Sequence, residues 1–146
     1  MADDLTWLLR RLVEAVPGAQ SAVLLSVDGI AKYSHGLSPE GADTLAALSC
    51  GMLSLAQQVG KNFGKGETDG VRQVATELDH TILFVTSASL GSLLAVVASR
   101  EVDARVLSFE MTKLCHQVPA FLATPSRQPS PAAGNGSMGA SDRGTL

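Results

Sequence analysis

Apolar positions recur with two periods along this chain, and the alternation between the periods predicts its elements. Leu5, Leu8, Leu9, Leu12 and Val16 fall on one face of a helix over residues 3–16, with Arg10, Arg11 and Glu14 away from it. Asp3 or Asp4 can cap its start, and Val16-Pro17-Gly18 ends it, because the residue before a proline resists the α region. Residues 21–27 and 30–35 read as strands joined by Asp28-Gly29, a hairpin turn signal between apolar runs. Residues 71–78, 81–87 and 92–99 form three further strands, turned at Asp79-His80 and at Ser89-Leu90-Gly91. A last helix over about 101–118 carries Ala104, Leu107, Met111, Leu114, Val118 and Leu122 on one side, and Pro119 marks its end or a kink. Val102, Val106 and Phe109 lie opposite that stripe, either against the first helix or as a second sticky patch.

The long helix between the two strand blocks carries the most information. Ser38 is placed to cap it, Pro39 takes the first helical position, and Gly64-Lys65-Gly66 stops it after Phe63. Two apolar stripes run along it at spacings of three and four. One is large: Leu45, Leu48, Met52, Leu55, Val59 and Phe63. The other is nearly all small: Ala42, Ala46, Ser49, Leu53, Ala56 and Gly60. One sheet consumes one stripe. The expectation is that the small stripe is left over, for close approach of a second copy's helix or for a loop of the same chain. Gly51 lies on the polar side, where glycine costs about 1 kcal/mol relative to alanine. Either a partner's backbone comes close to it or it is tolerated drift.

The order α-β-β-α-β-β-β-α implies an α+β fold: a single five-stranded antiparallel sheet, order 2-1-5-4-3, with helices on both faces. Strand three is then an edge, with unpaired backbone groups that a symmetric partner could pair. The expected dimer interface therefore combines the small stripe with Val71, Gln73 and Ala75 of the edge strand. The expected binding surface for another protein is the polar side of the long helix, with Asp43, Ala47, Ser54, Gln58 and Lys61.

Composition narrows the class. The chain has 146 residues, 45% hydrophobic and 17% charged, enough apolar content for one core over residues 1–123. Beyond Thr124, Pro125, Pro129 and Pro131 lie among Ser, Gly and Ala without apolar period, so 124–146 reads as a disordered tail. A net charge of −3 without a basic run argues against nucleic acid. The acidic start and short apolar runs argue against a signal peptide and direct membrane insertion, so the chain reads as cytoplasmic. Cys50 and Cys115 suit buried thiols in a reducing compartment.

Four pieces in this order resemble the roadblock / dynein light-chain family over about residues 3–118. They are Gly18 to Ile30 with its Asp28-Gly29 turn, Ala42-Asp43-Thr44-Leu45-Ala46-Ala47, Asp69-Gly70-Val71-Arg72-Gln73-Val74, and Leu93-Leu94-Ala95-Val96-Val97. The resemblance implies a profilin-like sheet and a homodimer in which third strands and long helices meet. It also implies a Ras-like small GTPase as partner, since some bacterial members activate or serve a cognate GTPase. Others resemble components of gene clusters that include a sensor histidine kinase. The tail departs from the compact family core.

Reactive chemistry finds little support. Gly60 to Gly66 approaches a phosphate-binding loop, but it is one residue short, lacks Ser/Thr after the lysine, and ends a helix instead of opening one. His35, His80 and His116 are scattered, and adjacent Cys115-His116 diverge on a helix, so neither a metal nor a cofactor is expected. No G-x-S-x-G nucleophile elbow occurs. Arg72, Arg100 and Arg105 are the candidates for an arginine finger, each more simply a solvated side chain. Trp7, the lone tryptophan, either anchors an interface or packs on the last helix. The residues and the resemblance together read as a non-enzymatic homodimeric adaptor regulating a small GTPase. The alternatives are a scaffold in a sensor-kinase-associated complex with no effect on GTP turnover, and a small-molecule sensor using Tyr33, His35 and Thr86.

Overall fold

The computed structural model describes residues 5–88 and 91–122, with side chains through Val118. Eight main elements follow in order: α1 (Thr6–Ala15), β1 (Ala19–Ser26), β2 (Ala31–His35), α2 (Pro39–Phe63), β3 (Gln73–Glu77), β4 (Thr81–Ser87), β5 (Ser92–Ser99) and α3 (Ala104–Leu122). The sheet is antiparallel throughout, in the order β2-β1-β5-β4-β3, as the sequence implies. β1 and β5 carry continuous apolar runs at Ala22–Leu25 and Leu93–Ala98, buried on both faces, whereas β3 alternates and stands at the edge.

Local chemistry sets the boundaries. At the β1–β2 turn the Gly29 amide donates to the Ser26 carbonyl (2.9 Å), with Gly29 at φ +88°. Ile30, expected in the second strand, belongs to this turn, because the Ser26 amide donates to its carbonyl at 2.9 Å. Ser38 caps α2 as expected, its Oγ accepting from the Gly41 amide at 3.0 Å. β3 is shorter than the expected 71–78: the Thr86 hydroxyl donates to the Arg72 carbonyl (2.9 Å), a side-chain bond where ladder pairing would otherwise continue.

α3 departs more. It starts at Ala104 because Asp103 Oδ1 accepts from the Arg105 and Val106 amides at 3.0 and 3.3 Å. It continues through Pro119 to Leu122. A proline forfeits one amide bond, and the helix runs on past that loss. Asp3 and Asp4, the Ser89-Leu90 turn and the 124–146 tail lie outside the described residues.

The sheet separates two cores. On one face, the N-cap Leu5 and Leu8, Leu9 and Leu12 of α1 meet Leu107, Met111, Leu114 and Val118 of α3 over Ala22, Leu24, Phe84, Leu94 and Val96. On the other, α2 alone lies over Val23, Leu25, Val85, Leu93 and Ala95. No helix among the described residues is long and apolar enough to cross a membrane.

Candidate functional site

α2 meets the sheet with the opposite stripe from the expected one. Ala42, Ala46, Ser49 and Leu53 are buried against the subunit's own sheet, so these four are not a dimer seam. Ala56 and Gly60 are half-buried, and a β-carbon at Gly60 would lie 2.6 Å from the Asp69 carbonyl oxygen. That end of the small stripe is taken by the chain's own 65–72 loop. The cause is steric. Val and Leu side chains already stand up from the sheet on this face, and a helix resting on them has room for little more than methyl groups. Small residues do permit close approach here, but the approach is to the chain's own sheet.

The large stripe is consequently left outside. Leu48 is 57% exposed, Leu55 70%, Val59 60% and Phe63 86%, while Leu45 is buried and Met52 half-buried. Monomers rarely leave a contiguous apolar patch of more than a few hundred Å² to water. Four large side chains on one stripe reach that limit. A sequence signal for this existed in helix length. Twenty-five residues span about 38 Å at 1.5 Å per residue, more than a strand of five to eight residues can underlie. No residue of α2 beyond Leu53 is fully buried.

Two contacts orient the stripe. The Thr76 hydroxyl of β3 donates to Met52 Sδ at 3.7 Å, while the Cys50 thiol, on the opposite flank of α2, donates to the Val27 carbonyl at 3.1 Å. Met52 belongs to the large stripe, so the stripe hangs on the β3 side. Farther along, Ala56, Val59 and Gly60 line a shallow cleft with Val71, Arg72 and Gln73. The exposed apolar row and the sheet edge thus form one continuous surface. On β3, Val74 and Thr76 turn toward α2, and Gln73 and Ala75 are exposed on the other face. Asp43, Ala47, Ser54, Gln58 and Lys61 are all exposed, on the polar side of α2 away from this edge. Lys61 also pairs with Glu67 at 3.4 Å.

The remaining candidates are dispersed. The Arg100 guanidinium is held by the Leu78 carbonyl (3.0 Å) and Glu77 (3.6 Å), which pins the β3–β4 turn, while Arg72 and Arg105 are exposed. Burial pushes the Cys115 thiol up to about 11, the opposite of nucleophile activation. Among the described residues no group of three or more His, Cys, Asp or Glu could hold a metal. Trp7 is partly exposed, with the Arg11 guanidinium 5.2 Å from its ring centre. Val102, just before α3, packs against the first core at Gly18, and Val106 and Phe109 of α3 stay exposed.

The family model for the Roadblock/LC7 domain matches residues 5–98. This chain belongs to the Roadblock/LC7 family. Among solved structures, a Roadblock/LC7 domain from Streptomyces avermitilis is 50% identical, with a TM-score of 0.79 over 83% of this chain and 99% of that one. Myxococcus xanthus MglB, 16% identical, superposes with a TM-score of 0.69 over 83% of this chain and 96% of its own. Acanthamoeba castellanii profilin IA, 14% identical, gives 0.51 over 80% and 98%. These two similarities concern the fold alone, and they bear out the profilin-like topology. No curated protein matches. The matched span of the roadblock domain includes all of α2 and the β3 edge.

Proposed function

We propose that this roadblock protein is a non-enzymatic cytoplasmic adaptor, with residues 1–123 as its domain, that works as a homodimer and regulates a Ras-like small GTPase. Pairing uses the exposed row Leu48, Met52, Leu55, Val59 and Phe63 together with the β3 edge at Val71, Gln73 and Ala75. The observation that carries the proposal is this apolar row beside an unpaired strand edge. One symmetric partner satisfies both, hiding the row and pairing the backbone groups. Two-fold pairing sets two α2 helices side by side, and their polar sides, turned away from the seam and carrying Asp43, Ala47, Ser54, Gln58 and Lys61 of each copy, flank one shared platform. Family membership supports a GTPase as its occupant. Such a platform acts by favouring one conformation of the GTPase's switch segments and requires no reactive group of its own.

The test is a native pull-down from the source cell followed by gel filtration with the recovered GTPase. Ser54→Glu combined with Gln58→Glu abolishes co-elution and leaves the dimer intact. Co-elution unchanged by that pair of substitutions would place the GTPase elsewhere. GTP hydrolysis by the recovered GTPase, with and without this protein, separates a regulator from a scaffold in a sensor-kinase-associated complex.

A further inference from the structure

A solvent-open groove runs between α1 and α3, on the opposite side of the sheet from α2. Its floor is apolar, made by Leu8 and Leu12 of α1 and Leu114 of α3. Arg11, Lys113 and Gln117 stand at its sides, and the Arg11 guanidinium reaches across to Gln117 Oε1 at 3.4 Å. Each of the two cations also covers a ring. Arg11 lies 5.2 Å from the ring centre of Trp7, and the Lys113 ammonium lies 5.6 Å from that of Phe109. Trp7 is 38% exposed and Phe109 65%. The groove is therefore flanked by one aromatic–cation pair from each helix.

An apolar floor between aromatic rings, with side-chain donors along it, suits a proline-rich segment. Proline arrives with its φ already fixed, so ordering it on a ring costs little entropy. Polyproline II backbone makes no internal hydrogen bonds, and its carbonyls accept from donors such as Arg11, Lys113 and Gln117. Lys113 pairs with Glu110 at 3.4 Å, and an ammonium with three protons can serve a second acceptor as well.

The chain carries such a segment next to the groove. α3, one of its walls, ends at Leu122, and the sequence continues Ala123-Thr124-Pro125-Ser126-Arg127-Gln128-Pro129-Ser130-Pro131. Lengths agree. Phe109 stands 13 residues before Leu122 (122 − 109), about 20 Å back along the helix at 1.5 Å per residue. If Ala123 and Thr124 reverse the chain, residues 125–131 span about 22 Å at 3.1 Å per residue. Pro129 then comes level with Lys113, and Pro131 with Phe109. Tethering to the wall of the groove gives the segment an effective concentration on the order of millimolar, so a weak site is filled from within.

We propose that the groove between α1 and α3 binds the chain's own proline-rich segment, residues 125–131, as a polyproline II strand between the rings of Trp7 and Phe109. This contact lies within one subunit and is independent of pairing through α2.

Trp7 is the lone tryptophan, so its fluorescence in the full chain reads the groove directly. Acrylamide quenches it weakly, and to the same degree at every protein concentration. Pro129→Ala with Pro131→Ala raises the Stern–Volmer constant at least twofold and leaves the melting temperature unchanged. A synthetic peptide of residues 123–133 restores protection to that variant, and the same peptide with both prolines replaced by alanine does not. Phe109→Ala, which removes an exposed ring and spares the core, opens Trp7 to quencher as the proline changes do, and the peptide has no effect on it. Quenching that neither set of substitutions alters overturns the proposal. Protection that grows with protein concentration makes the occupant a second copy of the chain and overturns it equally.

Discussion

The two faces of the sheet obey the same amphipathic rule and reach opposite outcomes. On the α1/α3 face, every leucine of the main stripes through Leu114 is buried, and two helices divide the sheet between them. On the α2 face a single helix rests on small side chains and holds most of its large ones away from the sheet. The first face closes within one subunit. The second leaves Leu48, Leu55, Val59 and Phe63 exposed. An apolar stripe thus reports that a surface will be covered, and the neighbouring layers decide whether the subunit itself covers it.

This contrast can be broken most sharply on the closed face. Leu9→Ala costs about 2–5 kcal/mol, as cavity-forming substitutions in a packed core do. Leu55→Ala, assayed where the subunit is monomeric, stays within about 0.5 kcal/mol of the unmodified protein. Urea denaturation reads both, and equal losses would mean that α2's row is buried after all. On the open face, Leu48→Glu with Leu55→Glu raises the dimer dissociation constant at least 100-fold and leaves the circular dichroism spectrum of the fold intact. Four charges, two from each copy, would have to be desolvated in the seam. Ala46→Leu, under α2, destabilises the subunit by roughly 1–3 kcal/mol through overpacking.

A smaller effect sharpens the same picture. Among the described residues, Ser49 Oγ, buried beneath α2, has no hydrogen-bond partner. Ser49→Ala therefore stabilises the subunit, by about 1 kcal/mol in the same denaturation assay.

The smallest effect concerns Cys115. Its thiol is raised to about 11 from an ordinary 9.0, so the folded state keeps the proton that the unfolded state releases first. Its contribution to stability is complete below pH 9 and declines as pH rises from 9 toward 11. Iodoacetamide at pH 8 should label Cys115 only after unfolding, which mass spectrometry of native and urea-treated protein checks.

Much of the fold was legible in the residues. Asp28-Gly29 marked the first hairpin, Ser38-Pro39 the start of α2, and the near-continuous apolar runs at 21–25 and 93–97 the central strands. Each is a local signal whose meaning hardly depends on the rest of the chain. The start of α3 was misjudged because Asp103, not the residues around Glu101, supplies the cap. Which stripe of α2 meets the sheet differs from the expectation for another reason. Both stripes of α2 have good helical periodicity, and nothing local says which one a sheet will accept.

The sequence by itself determined the elements, the strand order and the presence of two competing apolar stripes on one helix, because capping, turn chemistry and periodicity act over a few residues. Only the tertiary structure decided which stripe stayed outside. The choice depends on how much space Val23, Leu25, Val85 and Leu93 leave beneath α2 and on the Asp69 carbonyl pressing against Gly60. Those are contacts between segments far apart in the chain, and steric fit of that kind has no signature along it.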